Sequence, residues 1–447
     1  MPRDIDPLSL LGDLIARARA AGADDADALL SEGVSLSLAQ RLGKPERLER
    51  SEASDLGLRV FVGKRQAIVS STDLRAPALS ELIERAVAMA RLAPEDPYCG
   101  VAEPDALARS FPDLDLFDPV EPATERLQES ARLAEEAALA VKGVTNSEGA
   151  EVSWGSWRTA LAASNGFAGS VRRSSHGLSV SVLAGSGTGM ERDYDYTSAV
   201  HAADLDDPRT IGARAGERAV RRLNPRKVAT IRVPIVYERR IAGSFLRYLA
   251  NAISGPSIAR GTSFLKDKMG QQIFAAHITV IDDPLKTRGL RSRGFDGEGL
   301  PQQRRNIIDK GVLTSWFLDL RSARQLGLRS TGHASRSTSG PPSPSAANLY
   351  LQPGPLSPER LIADIDQGFY VTDTMGFGVN GVTGDYSQGA SGFWIEKGQL
   401  AYPVSEVTIA GNLKEMFLNI TPASNLEFKS GLDAPDLRIE GMTLAGA

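Results

Sequence analysis

Extended segments joined by tight glycine turns are the feature that most restricts what this chain can fold into. In DLGLRVFVGKRQAIVSST (55–72), Val60 and Val62 lie two positions apart, and Gly63-Lys64 precedes a second extended run. A period of two, interrupted by a short glycine-containing turn, predicts a β-hairpin. Further extended runs, EVSWGSWRTALAAS and GLSVSVLAGSGTG, begin at Glu151 and Gly177. The strands are therefore expected to pair largely with their antiparallel neighbours.

Helical segments interrupt these runs at intervals. Leucines and Ile15 recur at helical spacing behind Asp6-Pro7, an N-cap followed by a first-turn proline. Four more segments show helical patterning or capping, at 78–93, 123–141, 206–224 and 238–254. This order predicts an α+β fold rather than a doubly wound sheet.

Two domains are expected, divided near the polar, proline-bearing segment LNPRKVAT (223–230). Residues 1–225 are predicted to form an α/β-type domain with an antiparallel-rich sheet and flanking helices. Residues 226–447 are predicted to form a β-rich domain, sandwich-like or barrel-like, with one main helix. Within it, IIDKGVLTSW and WIEKGQLAYP each predict a tight hairpin whose glycine has positive φ, arising from duplication or independently. The Ser-, Pro- and Gly-rich segment 335–359 is predicted to be a long loop or lid, ordered only if it packs on another part of the protein.

Composition excludes several classes of function. The 447 residues carry 51 Lys plus Arg and 55 Asp plus Glu, a net charge of −4, so no strong field recruits nucleic acid or an acidic membrane. The single cysteine, Cys99, excludes an internal disulfide framework. The first 22 residues contain no apolar run long enough for a signal peptide or membrane span, and we expect a cytoplasmic protein.

No familiar catalytic motif stands out. The four histidines are distant from one another in sequence, so a zinc site on one helix is not predicted; they are His176, His201, His277 and His333. Gly376 to Gly381 fits G-x-G-x-x-G, but the sequence that follows cannot form the helix that a dinucleotide site requires. The acidic pair Asp282-Asp283 is interpreted as turn caps and solvated charge.

The densest chemistry lies in GVTGDYSQGASGFWIEKGQLAYPVSE (381–406). Asp385, Tyr386, Ser387 and Ser391 are its candidate functional residues. From the residues alone, extended strands punctuated by glycine can hold another chain by strand addition. A purely structural interpretation is open as well, with glycines forming turns and Asp385 capping one of them.

Four segments resemble the TldD/PmbA family, whose members were once labelled modulators of DNA gyrase. These are APEDPYCG (93–100), SFLKDKMGQQIF (263–274), GFDGEGLPQQRRNIIDKGVL (294–313) and the 381–413 stretch. The resemblance is greater to the PmbA branch, also called TldE, and runs from about Asp24 to Ile439. It implies a cytoplasmic TldD–TldE heterodimer that cleaves unfolded or small peptides with zinc, including a peptide-antibiotic leader and an antitoxin.

One departure from the family matters for chemistry. In the TldD branch a helix before the GTSF-like segment carries H-E-x-x-x-H, which binds zinc and supplies the general base. Transferred to this chain, the two histidine positions fall on Leu246 and Asn251, and the glutamate position on Arg247. Leucine cannot ligate zinc, asparagine is a poor zinc ligand, and arginine cannot act as a base. The resemblance therefore implies that this chain has neither metal nor catalytic residues, and that zinc belongs to a TldD-like partner.

Three functions follow as alternatives. The first is the non-catalytic subunit of a TldD–TldE type peptidase, in which Asp385, Tyr386, Ser387 and Ser391 shape a substrate chamber. The second is a non-proteolytic peptide-binding or scaffold protein, homodimeric when alone, linked to toxin–antitoxin or gyrase-inhibitor handling. The third is an independent hydrolase that uses Ser387 or Ser391 with His333.

Overall fold

A computed structural model describes residues 6–376 and 378–446. The helices are α1 (Pro7–Ala20), α2 (Ala76–Leu92), α3 (Thr124–Leu139), α4 (Pro208–Arg221), α5 (Arg239–Ala252), α6 (Gly255–Ala259), α7 (Leu320–Gln325), α8 (Pro358–Ile362) and α9 (Leu413–Leu418). The strands of the first half are β1 (Asp25–Arg41), β2 (Lys44–Val62), β3 (Arg65–Ser71), β4 (Val144–Ala163), β5 (Ala168–Ala184) and β6 (Glu191–Ala199). Those of the second half are β7 (Ile231–Tyr237), β8 (Val280–Asp282), β9 (Arg305–Asp309), β10 (Val312–Leu313), β11 (Ala334–Ser335), β12 (Ser343–Pro344), β13 (Leu349–Leu351), β14 (Gln367–Met375), β15 (Asp385–Glu396), β16 (Gln399–Asn412), β17 (Ile420–Pro422), β18 (Leu432–Asp433) and β19 (Leu437–Ala445).

The first half of the chain builds one antiparallel sheet in the order β3-β2-β1-β4-β5-β6. Helices α1 and α2 pack on one half of a sheet face, against Ala28 and Leu30 of β1. Helices α3 and α4 pack on the other half, against Leu36 and Leu38 of the same strand. Because these β1 residues are all even-numbered, both helix pairs cover the same face of the sheet.

The second half of the chain is built around a barrel. Strands β16, β15, β14, β7 and β19 follow one another, and β19 also pairs with β16, so that five strands close on themselves. The β14–β7 pair is parallel and the others are antiparallel. A second sheet, β10-β9-β8-β13-β18, lies beside the barrel. The predicted α+β class and β-rich second half are confirmed, and the architecture is a barrel rather than a sandwich.

Both Lys-Gly hairpins form as predicted. Gly311 has φ 84° between β9 and β10, and Gly398 has φ 76° between β15 and β16. The preceding lysines, Lys310 and Lys397, are also left-handed, at φ 48° and 51°. Two successive residues with positive φ match the right-handed twist of the flanking strands.

Residues 335–359 form a long, mostly irregular segment with the short strands β12 and β13, and it packs on the first sheet, where Arg336 and Thr338 bind Asp27 and Asp55. One smaller prediction was wrong. Asp282 is not solvated; it is buried and accepts the backbone N–H of Ala347 at 2.8 Å. Among the described residues, no helix has the length and apolar character needed to cross a membrane.

Candidate functional site

Helix α5 occupies the position at which the family resemblance places a metal-binding helix. The helix is amphipathic, and Phe245, Leu246 and Leu249 on its apolar face are buried in the hydrophobic core of the second half of the chain. Leu246 is 1% exposed, whereas Arg247 and Asn251 are on the surface. Residues five apart on a regular helix lie about 140° apart around its axis. Leu246 and Asn251 consequently do not share a face, whereas Arg247 and Asn251, four apart, do.

These side chains do not fit a zinc ion. An aliphatic chain, a guanidinium and a carboxamide supply neither the imidazole or thiolate ligands nor the general base of a zinc peptidase. Across residues 6–376 and 378–446, no three His, Cys, Asp or Glu side chains are grouped in a way that could hold a metal ion. We therefore derive no catalytic step through zinc in this chain.

Inward-facing residues of β15 connect the 381–406 stretch to α5 through a chain of hydrogen bonds. The hydroxyl of Tyr237 donates to that of Tyr386 at 3.2 Å, and Tyr386 donates to Oε1 of Gln388 at 2.8 Å. Gln388 in turn donates from Nε2 to the Tyr248 hydroxyl of α5 at 3.1 Å. Burial raises the pKa of Tyr386, which therefore stays a neutral donor. Tyr386 is thus a structural link inside the barrel rather than a surface group.

Asp385 and Ser387 lie on the outward face of β15, and both are exposed. Asp385 accepts hydrogen bonds from Oγ1 of Thr383 at 2.6 Å and Nδ2 of Asn412 at 2.9 Å. These two bonds lower the pKa of Asp385 and fix its carboxylate across the start of the strand. Ser387 donates its backbone N–H to the carbonyl of Gly378 at 2.7 Å. A Cβ on Gly378 would lie 1.4 Å from the Ser387 carbonyl oxygen, so only glycine fits there.

Ser391 belongs to the contact between the two halves of the chain. Its Oγ accepts a hydrogen bond from Arg222, at the end of α4, at 2.8 Å. Arg222 also lies 3.4 Å from Glu191, 3.5 Å from Asp193 and 3.7 Å from Asp373. Ser391 therefore helps to hold the barrel on the first sheet, away from Asp385 and the start of β15.

The structure does not bring a serine of β15 to His333. The histidine is 3% exposed, and its Nε2 is 3.2 Å from Oδ2 of Asp282. Its Nδ1 is 2.8 Å from Oγ1 of Thr331, and its ring stacks on Phe317 with centroids 4.3 Å apart. Both ring nitrogens are therefore occupied by neighbours other than Ser387 and Ser391.

Sequence analysis missed a buried acidic pair where the halves of the chain meet. Asp296 accepts backbone N–H groups from Glu298 and Leu300, each at 2.9 Å, and Glu298 accepts that of Leu320 at 2.8 Å. Burial, together with the neighbouring Asp296, raises the pKa of Glu298 to about 8. The positive charge of Arg59, in the first sheet, favours the ionised form of Glu298 and so partly opposes this rise in its pKa. The available signal was GFDGEG, in which glycines flank two acids.

Comparison with known proteins identifies the family. Models of PmbA/TldA metallopeptidase domain 1, central domain and C-terminal domain match residues 26–90, 117–223 and 230–446. Metalloprotease PmbA of Escherichia coli is 38% identical over 95% of this chain and 92% of that protein. A PmbA homolog of Haemophilus influenzae is 34% identical over 96% and 94%.

Solved structures agree with this assignment. The crystal structure of a candidate modulator of DNA gyrase from Bacteroides thetaiotaomicron has a TM-score of 0.91 and 28% identity, and covers 98% of each chain. TldE from Thermococcus kodakarensis has the same fold, with a TM-score of 0.88 over 98% of this chain and 100% of that one, at 21% identity. This chain is a PmbA-like member of the PmbA/TldD metallopeptidase family.

Proposed function

We propose that this chain is the subunit without metal in a two-subunit peptidase of the TldD–TldE type, acting on unfolded or small peptides. The observation that carries the proposal is the chemistry of α5: Leu246, Arg247 and Asn251 stand at the transferred motif positions, and none can serve zinc hydrolysis. In this role the zinc and the general base come from a TldD-like partner that retains H-E-x-x-x-H.

The contribution of this chain is to complete a substrate chamber. Asp385 and Ser387 are exposed and held in place, respectively by side-chain hydrogen bonds and by the Gly378 carbonyl. The Asp385 carboxylate and the Ser387 hydroxyl can hydrogen-bond the N–H and C=O groups of a peptide main chain without selecting a side-chain sequence. Strand addition on β15 itself is not available, because β15 pairs with β14 on one side and β16 on the other. Such recognition favours unfolded chains, whose backbone groups are free to pair.

A second function is peptide binding without proteolysis. It is favoured by the same exposed strand surface and by the lack of ligand types on α5. The two candidates differ in what a partner changes: the first requires a metal-bearing subunit to produce cleavage, whereas the second predicts binding that no partner converts into hydrolysis.

Reconstitution distinguishes them. The purified chain, a TldD-like subunit, and their mixture are each incubated with an unstructured peptide, with and without a zinc chelator. We expect chelator-sensitive cleavage in the mixture and none from this chain alone. A partner variant with the motif glutamate replaced by alanine is the matched control, and the mixture containing it should be inactive. Hydrolysis by this chain alone would refute the proposal, and peptide binding without cleavage in every mixture would favour the second function.

A further inference from the structure

A groove crosses the helix-covered face of the first sheet between the two helix pairs. Helices α1 and α2 cover Ala28 and Leu30 of β1, whereas α3 and α4 cover Leu36 and Leu38. Glu32 points to the same face but belongs to neither of these apolar clusters. The groove at this point has a volume of about 900 Å³, which is within the size of sites that hold small ligands.

The register of the sheet places four polar side chains in one row across the floor of this groove. Glu32 of β1 pairs with Ser54 of β2 and with Arg158 of β4, and Arg158 pairs with Arg172 of β5. Paired residues on neighbouring antiparallel strands point to the same face, and all four line the groove. Glu52, two residues before Ser54 on β2, lines it as well. The two acids therefore lie on β2 and β1, and the two arginines lie on β4 and β5.

The two arginines form a weakly compensated basic end of the groove. They occupy directly paired positions, an arrangement in which like charges destabilise a sheet. Arg158 has one exposed partner, since its Nη2 is 3.5 Å from Asp6 Oδ1 and the two side chains are 41% and 55% exposed. Arg172 makes no ion pair among the described residues, and its guanidinium lies 3.9 Å from the centroid of the Phe117 ring. A carboxylate bound between the two guanidiniums would relieve their repulsion and accept hydrogen bonds from both.

The two glutamates form the acidic end of the groove. Glu32 is half-buried and makes no ion pair within the described part of the chain. Glu52 lies 3.5 Å from Arg50, but its side chain is 71% exposed and Arg50 also contacts Glu121. An ammonium group has three donors, which these carboxylates can accept. The groove therefore offers acceptors for a positive group at one end and donors for a carboxylate at the other.

The separation of the two ends determines the length of a ligand that can contact both. The strands follow the order β2-β1-β4-β5, and neighbouring strands are about 4.8 Å apart. Glu32 and Arg172 are therefore separated by about 10 Å, and Glu52 and Arg172 by about 14 Å. An extended peptide rises about 3.3 Å per residue, so three or four residues reach from an ammonium at the acidic end to a carboxylate at the basic end.

We propose that this groove binds peptides of three or four residues through their two free termini, with the carboxylate at Arg158 and Arg172 and the ammonium at Glu32. The inference rests on the proposed function, in which such peptides are products of cleavage, and it deepens that function by giving this chain a separate site for them. The groove lies on the first sheet, whereas α5 and β15 belong to the second half of the chain. Binding through the termini does not depend on the side chains of the peptide.

Calorimetric titration of the full chain, without a partner subunit, tests the site. Tetra-alanine is the probe, and N-acetyl-tetra-alanine amide, which lacks both terminal charges, is its matched control. We expect tetra-alanine to bind at millimolar or lower concentration, and the blocked peptide to bind at least about tenfold more weakly because its charge-assisted hydrogen bonds are lost. No binding of tetra-alanine, or equal affinity for the two peptides, would overturn the proposal. Both peptides are compared on the unaltered protein, so this result does not depend on the folding of a variant.

Substitutions test which residues hold the peptide. Arg158→Gln/Arg172→Gln should weaken tetra-alanine binding at least about tenfold. Arg19→Gln/Arg85→Gln, the same charge change at exposed positions of α1 and α2, should leave binding unchanged. Glu32→Gln should weaken binding of tetra-alanine but not of its N-acetyl form, which has no ammonium. Equal effects of the two double variants would refute the assigned site. The titration contains neither zinc nor a TldD-like subunit, so cleavage by the reconstituted mixture without tetra-alanine binding would refute this site alone.

Discussion

Replacing the buried carboxyl of Glu298 with a group that does not titrate should remove a loss of stability that the wild type shows as pH rises. The pKa of Glu298 is raised from 4.5 to about 8, chiefly by burial and then by Asp296. The folded protein therefore binds a proton more tightly than the unfolded chain. The contribution of Glu298 to the free energy of unfolding is fully present below pH 4.5, and it is lost as pH rises toward 8.

The magnitude follows from the size of the shift. One pKa unit corresponds to about 1.4 kcal/mol, so the wild type loses up to about 5 kcal/mol from this group between pH 4.5 and pH 8. Glutamine has the same shape, and its Oε1 can still accept the Leu320 N–H, but it does not titrate. Glu298→Gln should therefore match the wild type near pH 5 and exceed its free energy of unfolding by several kcal/mol near pH 9.

Urea denaturation of the full chain at steps between pH 5 and pH 9 measures this difference. Glu81→Gln, on the exposed face of α2, is the matched control and should follow the wild type throughout. Parallel wild-type and Glu298→Gln profiles would refute the reasoning. A wild type that gains stability relative to the variant above pH 7 would refute it as well.

Two further predictions concern the barrel and α5. Tyr386→Phe leaves Gln388 Oε1 without its donor and should lower the free energy of unfolding, measured by urea denaturation, by about 1–3 kcal/mol. Ser387→Ala, at an exposed position of the same strand, should change it by less than about 0.5 kcal/mol. Equal losses in the two variants would contradict the role of the buried hydrogen-bond network. Zinc grafting tests the helix geometry. Arg247→His/Asn251→His puts two imidazoles on one exposed face and should bind zinc by calorimetry, whereas Leu246→His/Arg247→Glu/Asn251→His should bind less because position 246 faces the core. Tighter binding by the triple variant would show that α5 departs from a regular helix there.

Local signals predicted most elements of the fold. Asp6-Pro7 begins α1, with the Asp6 carboxylate accepting the Ser9 N–H as an N-cap, and Gly63-Lys64 turns β2 into β3. Closure of the barrel had no such signal, because residues 408–410 of β16 pair with 443–445 of β19, far along the chain. Alternation along β15 is readable in the sequence, but its partners are not.

Prediction of the candidate site from the sequence has the same limit: local pattern is readable, but contacts between distant segments are not. Spacing alone separates Tyr386, which is buried, from Ser387, which is exposed. That Ser391 binds Arg222 depends on how the two halves of the chain pack, and so does the burial of Glu298. The α5 positions could be judged from residue type, whereas their orientation required the helix to be placed against the barrel.

The measurement that bears most directly on the central claim is peptidase activity of this chain with and without a TldD-like subunit. The account predicts chelator-sensitive cleavage of an unstructured peptide only when both subunits are present, with zinc recovered in the partner by metal analysis. Zinc bound to this chain together with cleavage in the absence of a partner would contradict it.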